Sequence, residues 1–314
     1  NVGLYGSGQA YEALLLRMRA NPLSEAREVS DLMLPELRKV IPAFLVRVDR
    51  PDRGVRWSRY LAETRANTER MAREVIDGLE PELSPEVTLT DFDPDGEIKV
   101  VAAALYAGSH LPETQLLAVA RSMNTDERIR VLRTYVGERA NRRHRPGRAF
   151  ERATYCFDVL SDYGAFRDLQ RHRILSIDWQ QLGPSNGYVM PAAVDEVGAV
   201  TDWQQVMEES AELHGRVARA SSPLVAQYAV SMAYQIRFYM QMNAREAMHV
   251  IELRTSPQGH PAYRRVCQTM HRLIDEQAGH HAIASALMFV DHSGVDLERL
   301  EAERATERRR QQTS

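Results

Sequence analysis

A nine-residue segment of strict alternation constrains the fold most. From Gln235 to Asn243 every second residue is apolar: Ile236, Phe238, Met240 and Met242. This period of two is typical of a β-strand with one buried face. Weaker alternation at 87–92 and 153–160 predicts two more strands, and 174–177 looks extended. Apolar residues elsewhere recur with a helical period, so the chain is predicted to be α+β, with helices around a small mixed or antiparallel sheet.

Turn residues and capping signals divide the helical part of the chain. Pro35 should kink or divide its helix, Asn124 and Glu127 form a capping box, and Gly279 marks a break. Thr201 is expected to cap its helix. Helices are predicted at 10–20, 25–40, 57–79, 97–106, from 112, from 124, from 163, 201–218, from 222, 244–253 and 263–290. We expect a helical N-terminal region at 1–85, a main domain at 86–292 and a charged, frayed tail at 293–314.

Composition excludes several classes of protein. Of 314 residues, 44% are hydrophobic and 26% charged, which is ordinary globular composition. No apolar run approaches a membrane span, and Cys156 and Cys267 alone make no disulfide framework, so a cytoplasmic protein is expected. The net charge of −3 disfavours a nucleic-acid-binding module. Only Lys39 and Lys99 are lysines, so 38 of the 40 basic residues (40 − 2) are arginine; a GC-rich genome or phosphate binding would explain this.

Two arginine segments follow predicted strand–helix junctions. In the RHR segment (Arg171–Arg173) two guanidiniums flank a histidine, which suits phosphate oxygens, although most such triplets are solvated turns. Asn243 leads into a helix whose Arg245, His249 and Glu252 share a face. A helix start favours anions, but a salt-bridged surface helix is an equally good interpretation.

A third cluster holds five arginines within residues 142–152. It could bind a phosphate, a cofactor or RNA, or be a solvated loop. No metal site is expected, because no histidine pair has the i, i+4 spacing with a glutamate that marks a zinc helix.

Taken in order, these segments resemble the flavin-dependent thymidylate synthases (ThyX). The resemblance covers residues 86–290 and rests on the 87–92 strand, the Asp93-Pro94-Asp95 turn, Phe150-Glu151, the 153–160 strand, the RHR segment with Ser176, and Asn243-x-Arg245 through Leu253-Arg254. It implies an α+β homotetramer with FAD bound between subunits. The implied reaction is reductive methylation of dUMP, or a related pyrimidine nucleotide, with methylenetetrahydrofolate and NADPH.

The resemblance also implies roles for individual residues. The implied FAD-binding residues are Arg171, His172, Arg173, Ile174, Glu151, Asn243, Arg245 and His249. Arg254 would bind substrate at the uracil and be the catalytic arginine, and Arg148 and Gln181 would contact substrate. Because the flavin carries the hydride chemistry, no general base is expected.

The nucleotide half of the family pattern is poorly matched. After Ser176 the chain reads Ile-Asp-Trp-Gln-Gln-Leu-Gly, so the family's phosphate-binding serine and arginine are absent. Arg142 or Arg148 could replace them, or an upstream ThyX-like segment could, since the chain starts in mid-pattern at Asn1. The alternative is a catalytically degenerate homologue that serves as a structural or regulatory subunit.

Overall fold

The computed structural model describes residues 3–294 and, beyond them, only Arg304 and Arg308. The chain divides into two compact units, Asn1–Glu82 and Leu83–Ser314. The functional division into a helical region, a flavin-binding domain and a tail stays a prediction. The predicted fraying of the tail falls almost entirely outside the described residues.

The first unit is helical. Its helices are α1 (Gly8–Arg19), α2 (Ser24–Arg38), α3 (Pro42–Leu45) and α4 (Arg56–Val75), with a short π-helix at Pro51–Val55 before α4. The core of this unit consists of Leu15, Leu34, Leu45 and Val48. α2 runs through Pro35, so the helix is not divided there.

The second unit combines four strands with ten helices in its described part. The strands are β1 (Val87–Phe92), β2 (Thr154–Asp162), β3 (Ser176–Trp179) and β4 (Gln235–Asn243). The helices are α5 (Gly96–Tyr106), α6 (Glu113–Ser122), α7 (Thr125–Val136), α8 (Tyr163–Leu169), α9 (Ala192–Glu196), α10 (Val200–Ala220), α11 (Pro223–Ala226), α12 (Ala244–Arg254), α13 (Pro261–Glu276) and α14 (His281–Ala286). Short 3-10 turns occur at Arg148–Arg152, Pro184–Asn186 and Gln227–Ala229. This architecture is α+β, as predicted.

The sheet is antiparallel, with strand order β1-β2-β4-β3. The alternating apolar residues of β4 are buried, together with Tyr155, Phe157 and Val159 of β2. α13 contacts β1 and β2. Its buried residues Val266, Met270 and Ile274 belong to the same core as these strands. The opposite face of the sheet is more open: Tyr239 is 44% exposed.

Several predicted boundaries are confirmed and others move. The capping box at Asn124 is present, and Gly279 separates α13 from α14 at φ +67°. The cap predicted at Thr201 is wrong, because α10 begins at Val200 and makes no side-chain cap bond. β3 starts at Ser176, where its pairing with Gln241 of β4 sets its register. Within the described residues, no helix is long and apolar enough to cross a membrane.

Candidate functional site

A cleft of about 270 Å³ brings together segments that are far apart in the sequence. All eight residues expected to bind the cofactor line it: Glu151, Arg171, His172, Arg173, Ile174, Asn243, Arg245 and His249. Six further residues complete the wall: Arg139, Arg142, Arg145, Pro146, Glu246 and Met248. The structure therefore brings the eight residues together in one cleft. That they bind a cofactor stays a prediction.

The RHR segment forms one wall because it lies between α8 and β3. His172 is buried, whereas Arg171 and Arg173 are exposed. A guanidinium nitrogen of Arg171 lies 3.4 Å from Asp168, in an exposed pair of the kind that contributes little to stability. Arg173 has no ion-pair partner among the described residues, so its charge is available to a ligand.

The junction of β4 and α12 contributes a second part of the lining. Asn243 is the N-cap of α12, and its side chain accepts a hydrogen bond from the backbone N–H of Glu246 at 2.9 Å. Asn243 also pairs with Thr154 in the sheet. Because of this register, Glu151, just before β2, lies beside Arg245. A carboxylate oxygen of Glu151 is 3.1 Å from a guanidinium nitrogen of Arg245.

Arg245 also donates to the backbone oxygen of Pro146 at 3.0 Å. Arg245 therefore lines the cleft with two of its five N–H donors engaged by Pro146 and Glu151. α12 is not the salt-bridged surface helix that the sequence left open, because seven of its residues are buried.

The arginine-rich loop at 140–148 contributes Arg142, Arg145 and Pro146 to the lining of the cleft. Its carbonyl oxygens at Arg142 and His144 accept hydrogen bonds from Arg139, at 3.2 and 2.7 Å. Gly147 is needed for a close approach, since a Cβ there would lie 2.1 Å from the hydroxyl oxygen of Tyr135. The loop is exposed, but it is anchored rather than freely solvated.

Unpaired positive charge dominates the cleft. Arg142, Arg145 and Arg173 line it and make no ion pair among the described residues. Burial lowers the pKa of His249, and Arg145 and Arg142 lower it further. Three free guanidiniums around a neutral histidine suit a phosphate-bearing ligand.

His172 is kept neutral by its surroundings. Burial, followed by the nearby charges of Arg254 and His249, lowers its pKa to about 4, and Asp168 opposes this in part. The Nε of Arg254 donates to Nε2 of His172 at 3.0 Å. The proton of the neutral ring therefore sits on Nδ1, which lies 3.8 Å from a carboxylate oxygen of Glu246.

The three residues expected at the substrate lie outside the cleft lining. Arg254 is held by His172, by the side chain and backbone of Asp168, and by the ring of Tyr263, 5.3 Å from its guanidinium carbon. Arg148 pairs with Glu151 at 3.0 Å, with its side chain 83% exposed. Gln181 is exposed. The structure does not bring these residues together in one lining, and their roles at the substrate stay predictions.

His172, Glu246 and His249 could in principle hold a metal ion, because their ligand atoms all lie within 4.8 Å of one another. The local charges disfavour a cation. A metal on Nδ1 of His172 would require the ring to lose its remaining proton while Nε2 still accepts from Arg254. The unpaired arginines add repulsion, so this cluster is better suited to an anion.

Sequence reasoning missed Arg139, Arg145 and Glu246 as individual residues of the site. Arg145 belongs to the arginine cluster and could have been singled out with Arg142. The Glu246-x-x-His249 spacing places both side chains on one helical face and was a readable signal. Arg139 gave no signal, since its burial depends on the fold.

A comparison with known families decides the classification. Residues 88–278 match the family described as thymidylate synthase complementing protein, Thy1. The chain belongs to this family. The thymidylate synthase complementing proteins are the ThyX family that the motifs resemble, so the predicted membership is confirmed.

The curated relatives are longer than this chain. A UPF0159 protein of Chlamydia muridarum is 34% identical over 305 residues, which is 96% of this chain and 57% of the relative. A UPF0159 protein of Chlamydia pneumoniae is 33% identical over 304 residues, with the same coverage. A UPF0159 protein of Thermoplasma acidophilum is 32% identical over 206 residues, 65% of this chain and 41% of the relative. The chain thus spans little more than half the length of the chlamydial relatives.

Among solved structures, a UMP/dUMP methylase, PolB, from Streptomyces cacaoi bound with 5-Br dUMP matches 67% of this chain and all of its own. The sequences are 18% identical and the TM-score is 0.49. At this level the likeness does not establish a shared fold.

Proposed function

We propose that this thymidylate synthase complementing protein is an FAD-dependent enzyme of the thymidylate synthase type. The reaction would be reductive methylation of dUMP, or of a related pyrimidine nucleotide, with methylenetetrahydrofolate as carbon donor and NADPH as reductant. The observation that carries the proposal is the meeting of the RHR segment, Glu151 and the Asn243–Arg245 turn in one arginine-lined cleft.

The positive charge of the cleft suits the negatively charged diphosphate of FAD. Arg142, Arg145 and Arg173 offer unpaired guanidiniums to the diphosphate. The positive end of α12, at Asn243, adds to the attraction for an anion. The cofactor would supply the hydride, while the residues of this chain bind and orient it.

The small volume of the cleft indicates that one chain would hold only part of the cofactor. Small-molecule pockets commonly measure about 300–1,000 Å³, and the cleft measures about 270 Å³. FAD is larger than a typical ligand, so a second copy of the chain would enclose the rest. This supports the proposal of a homo-oligomer, most simply a tetramer with dihedral symmetry.

Flavin uptake tests the proposal directly. The purified protein should be yellow, or should take up FAD in an absorbance titration. Replacing Arg173 by Ala should weaken FAD binding by about 1.5–3 kcal/mol, because the charge-assisted hydrogen bond from this guanidinium to the diphosphate is lost. Arg171→Ala should act in the same direction. Arg237→Ala is the control, since Arg237 pairs with Asp158 on the sheet at 2.8 Å and does not line the cleft. A colourless protein with no flavin uptake would refute the proposal.

A second candidate is a structural or regulatory subunit that has lost the substrate pocket. One observation favours it: three of the five N–H donors of the Arg254 guanidinium are engaged by His172 and Asp168. Such a subunit would bind flavin without converting dUMP. Tritium release from labelled dUMP separates the two candidates: release that depends on bound flavin, even at a low rate, supports the enzyme, whereas the subunit should release none.

A further inference from the structure

A buried ion pair connects α12 to the segment that begins the arginine-rich loop. Arg139 makes two hydrogen bonds of 2.6 Å to the two carboxylate oxygens of Glu252. The two side chains are only 2% and 1% exposed. The guanidinium also lies 5.0 Å from the ring centre of Phe289. This planar, bidentate geometry is one that lysine cannot reproduce.

The same guanidinium holds the backbone of the loop. Beyond Glu252, it donates to the carbonyl oxygens of His144 and Arg142. Arg139 therefore uses one face for α12 and its remaining donors for the loop. Arg142 and Arg145, which have no ion-pair partners among the described residues, are presented to the cleft from this backbone.

We propose that the Arg139–Glu252 pair is a positioning device that presents Arg142 and Arg145 to a phosphate group bound in the cleft. The inference rests on the proposed function for the identity of the ligand, but not for the architecture of the loop. Two sources of phosphate have the same chemistry: the diphosphate of FAD and the monophosphate of a nucleotide. If the bound phosphate is that of the nucleotide, Arg142 and Arg145 supply the charge that the chain lacks after the RHR segment.

The first arm of the test needs no ligand. Hydrogen–deuterium exchange over residues 140–148 is measured in the full chain for wild type, Arg139→Lys and the neutralised pair Arg139→Gln/Glu252→Gln. The double variant avoids leaving one charge buried alone, which would threaten folding. We expect exchange in the loop to rise at least about tenfold in both variants, since local opening sets protection.

The control variant is Arg237→Gln/Asp158→Asn, which neutralises an ion pair between strands away from the cleft. It should leave exchange at 140–148 unchanged. If the loop is equally protected in wild type and in Arg139→Gln/Glu252→Gln, the positioning role is refuted.

The second arm is a double-mutant cycle on binding, with inorganic pyrophosphate, FAD, riboflavin, dUMP and deoxyuridine as probes. Arg139→Lys should weaken pyrophosphate binding about tenfold in the native loop and less than about twofold when Arg142→Gln/Arg145→Gln is already present. An equal loss in both backgrounds would mean that Arg139 acts only through general stability, which overturns the inference.

Pairs of probes identify the source of the phosphate. If the loop arginines hold the diphosphate, Arg142→Gln/Arg145→Gln lowers FAD affinity but not riboflavin affinity. If the loop arginines hold the monophosphate, the same variant lowers the affinity for dUMP but not the affinity for deoxyuridine. Pyrophosphate binding without FAD binding would refute the flavin proposal and leave the loop inference standing. Binding of none of the phosphate probes would refute the inference.

Discussion

The ionisation of His172 depends on its surroundings in the cleft. Its folded pKa of about 4 lies below the ordinary value of 6.5, chiefly because it is buried. Between these values the unfolded chain binds the proton and the folded chain does not. Stability is therefore lost as pH falls from about 6.5 towards about 4.

Replacing His172 by Gln should flatten this pH dependence, since Gln keeps an acceptor for Arg254 but does not titrate. Neutral His172 contributes about 3 kcal/mol to the free energy of unfolding at neutral pH. About 2 kcal/mol of this contribution should be lost by pH 5 in wild type but not in the variant. Urea unfolding at pH 7.5 and pH 5 measures it. His110→Gln, at an exposed position, is the control. An equal pH dependence in wild type and His172→Gln would contradict the assigned environment.

At the residue scale the sequence predicted membership of the cleft better than it predicted contacts. The RHR segment, Glu151 and Asn243 were recognisable because the motif itself carries them. The engagement of Arg254 with His172 was not, since it spans 82 positions and depends on the fold bringing the end of α12 to the residues that follow α8. The anchoring by Arg139 spans 113 positions and was equally invisible.

At the element scale, the start of α12 serves both helix stability and the cleft. The side chain of Asn243 caps the helix and lines the cleft. A substitution by aspartate can distinguish the two roles. Aspartate caps a helix as well as asparagine does, but its negative charge would repel an anion in the cleft.

Asn243→Ala should cost about 1 kcal/mol of unfolding free energy, whereas Asn243→Asp should preserve stability and weaken FAD binding through charge repulsion. Asn124→Ala is the matched control, because Asn124 caps α7 with the same 2.9 Å bond and does not line the cleft. It should lose similar stability and bind FAD normally. Unfolding curves and flavin titrations measure both quantities. Undiminished FAD binding by Asn243→Asp would argue that the cap is remote from the ligand.

Elements with strong local patterns were predictable, and the others depended on partners. β4 matches its alternating segment from Gln235 to Asn243 because one face is buried throughout. β3 shows no such pattern: none of its residues is fully buried, and only its pairing with β4 fixes its ends. The capping signals at Asn124 and Gly279 succeeded because each acts within a few residues of the chain.

At the scale of the whole molecule, the size of the cleft bears on assembly. We expect the protein to form a homo-oligomer, most simply a tetramer of four 35.7 kDa chains, because the family resemblance implies a tetramer and the cleft of about 270 Å³ is small for the proposed FAD. Light scattering at micromolar concentration measures the mass. A strict monomer that nevertheless binds FAD tightly would contradict this expectation.

We also expect the 314-residue chain alone to show little thymidylate synthesis. Each missing charge-assisted bond to the substrate phosphate costs about 1.5–3 kcal/mol, and the family's serine and arginine after the RHR segment are absent. Tritium release from labelled dUMP is the assay. Activity at the level of the family in the chain alone, unchanged by Arg142→Ala and Arg148→Ala, would show that the nucleotide site has been misread.

The pairing of β2 with β4 has a kinetic consequence. Thr154 lies opposite Asn243, so closing this ladder joins positions 89 residues apart. Such non-local pairing slows folding, since loop-closure entropy is lost before the contacts form. The ladder also places Glu151 beside Arg245, which means that the cleft forms only after the central strands have met. A nascent chain therefore assembles the lining of the cleft late. A one-residue slip in the ladder of β2 and β4 would turn the apolar face of β4 outward and dismantle the cleft.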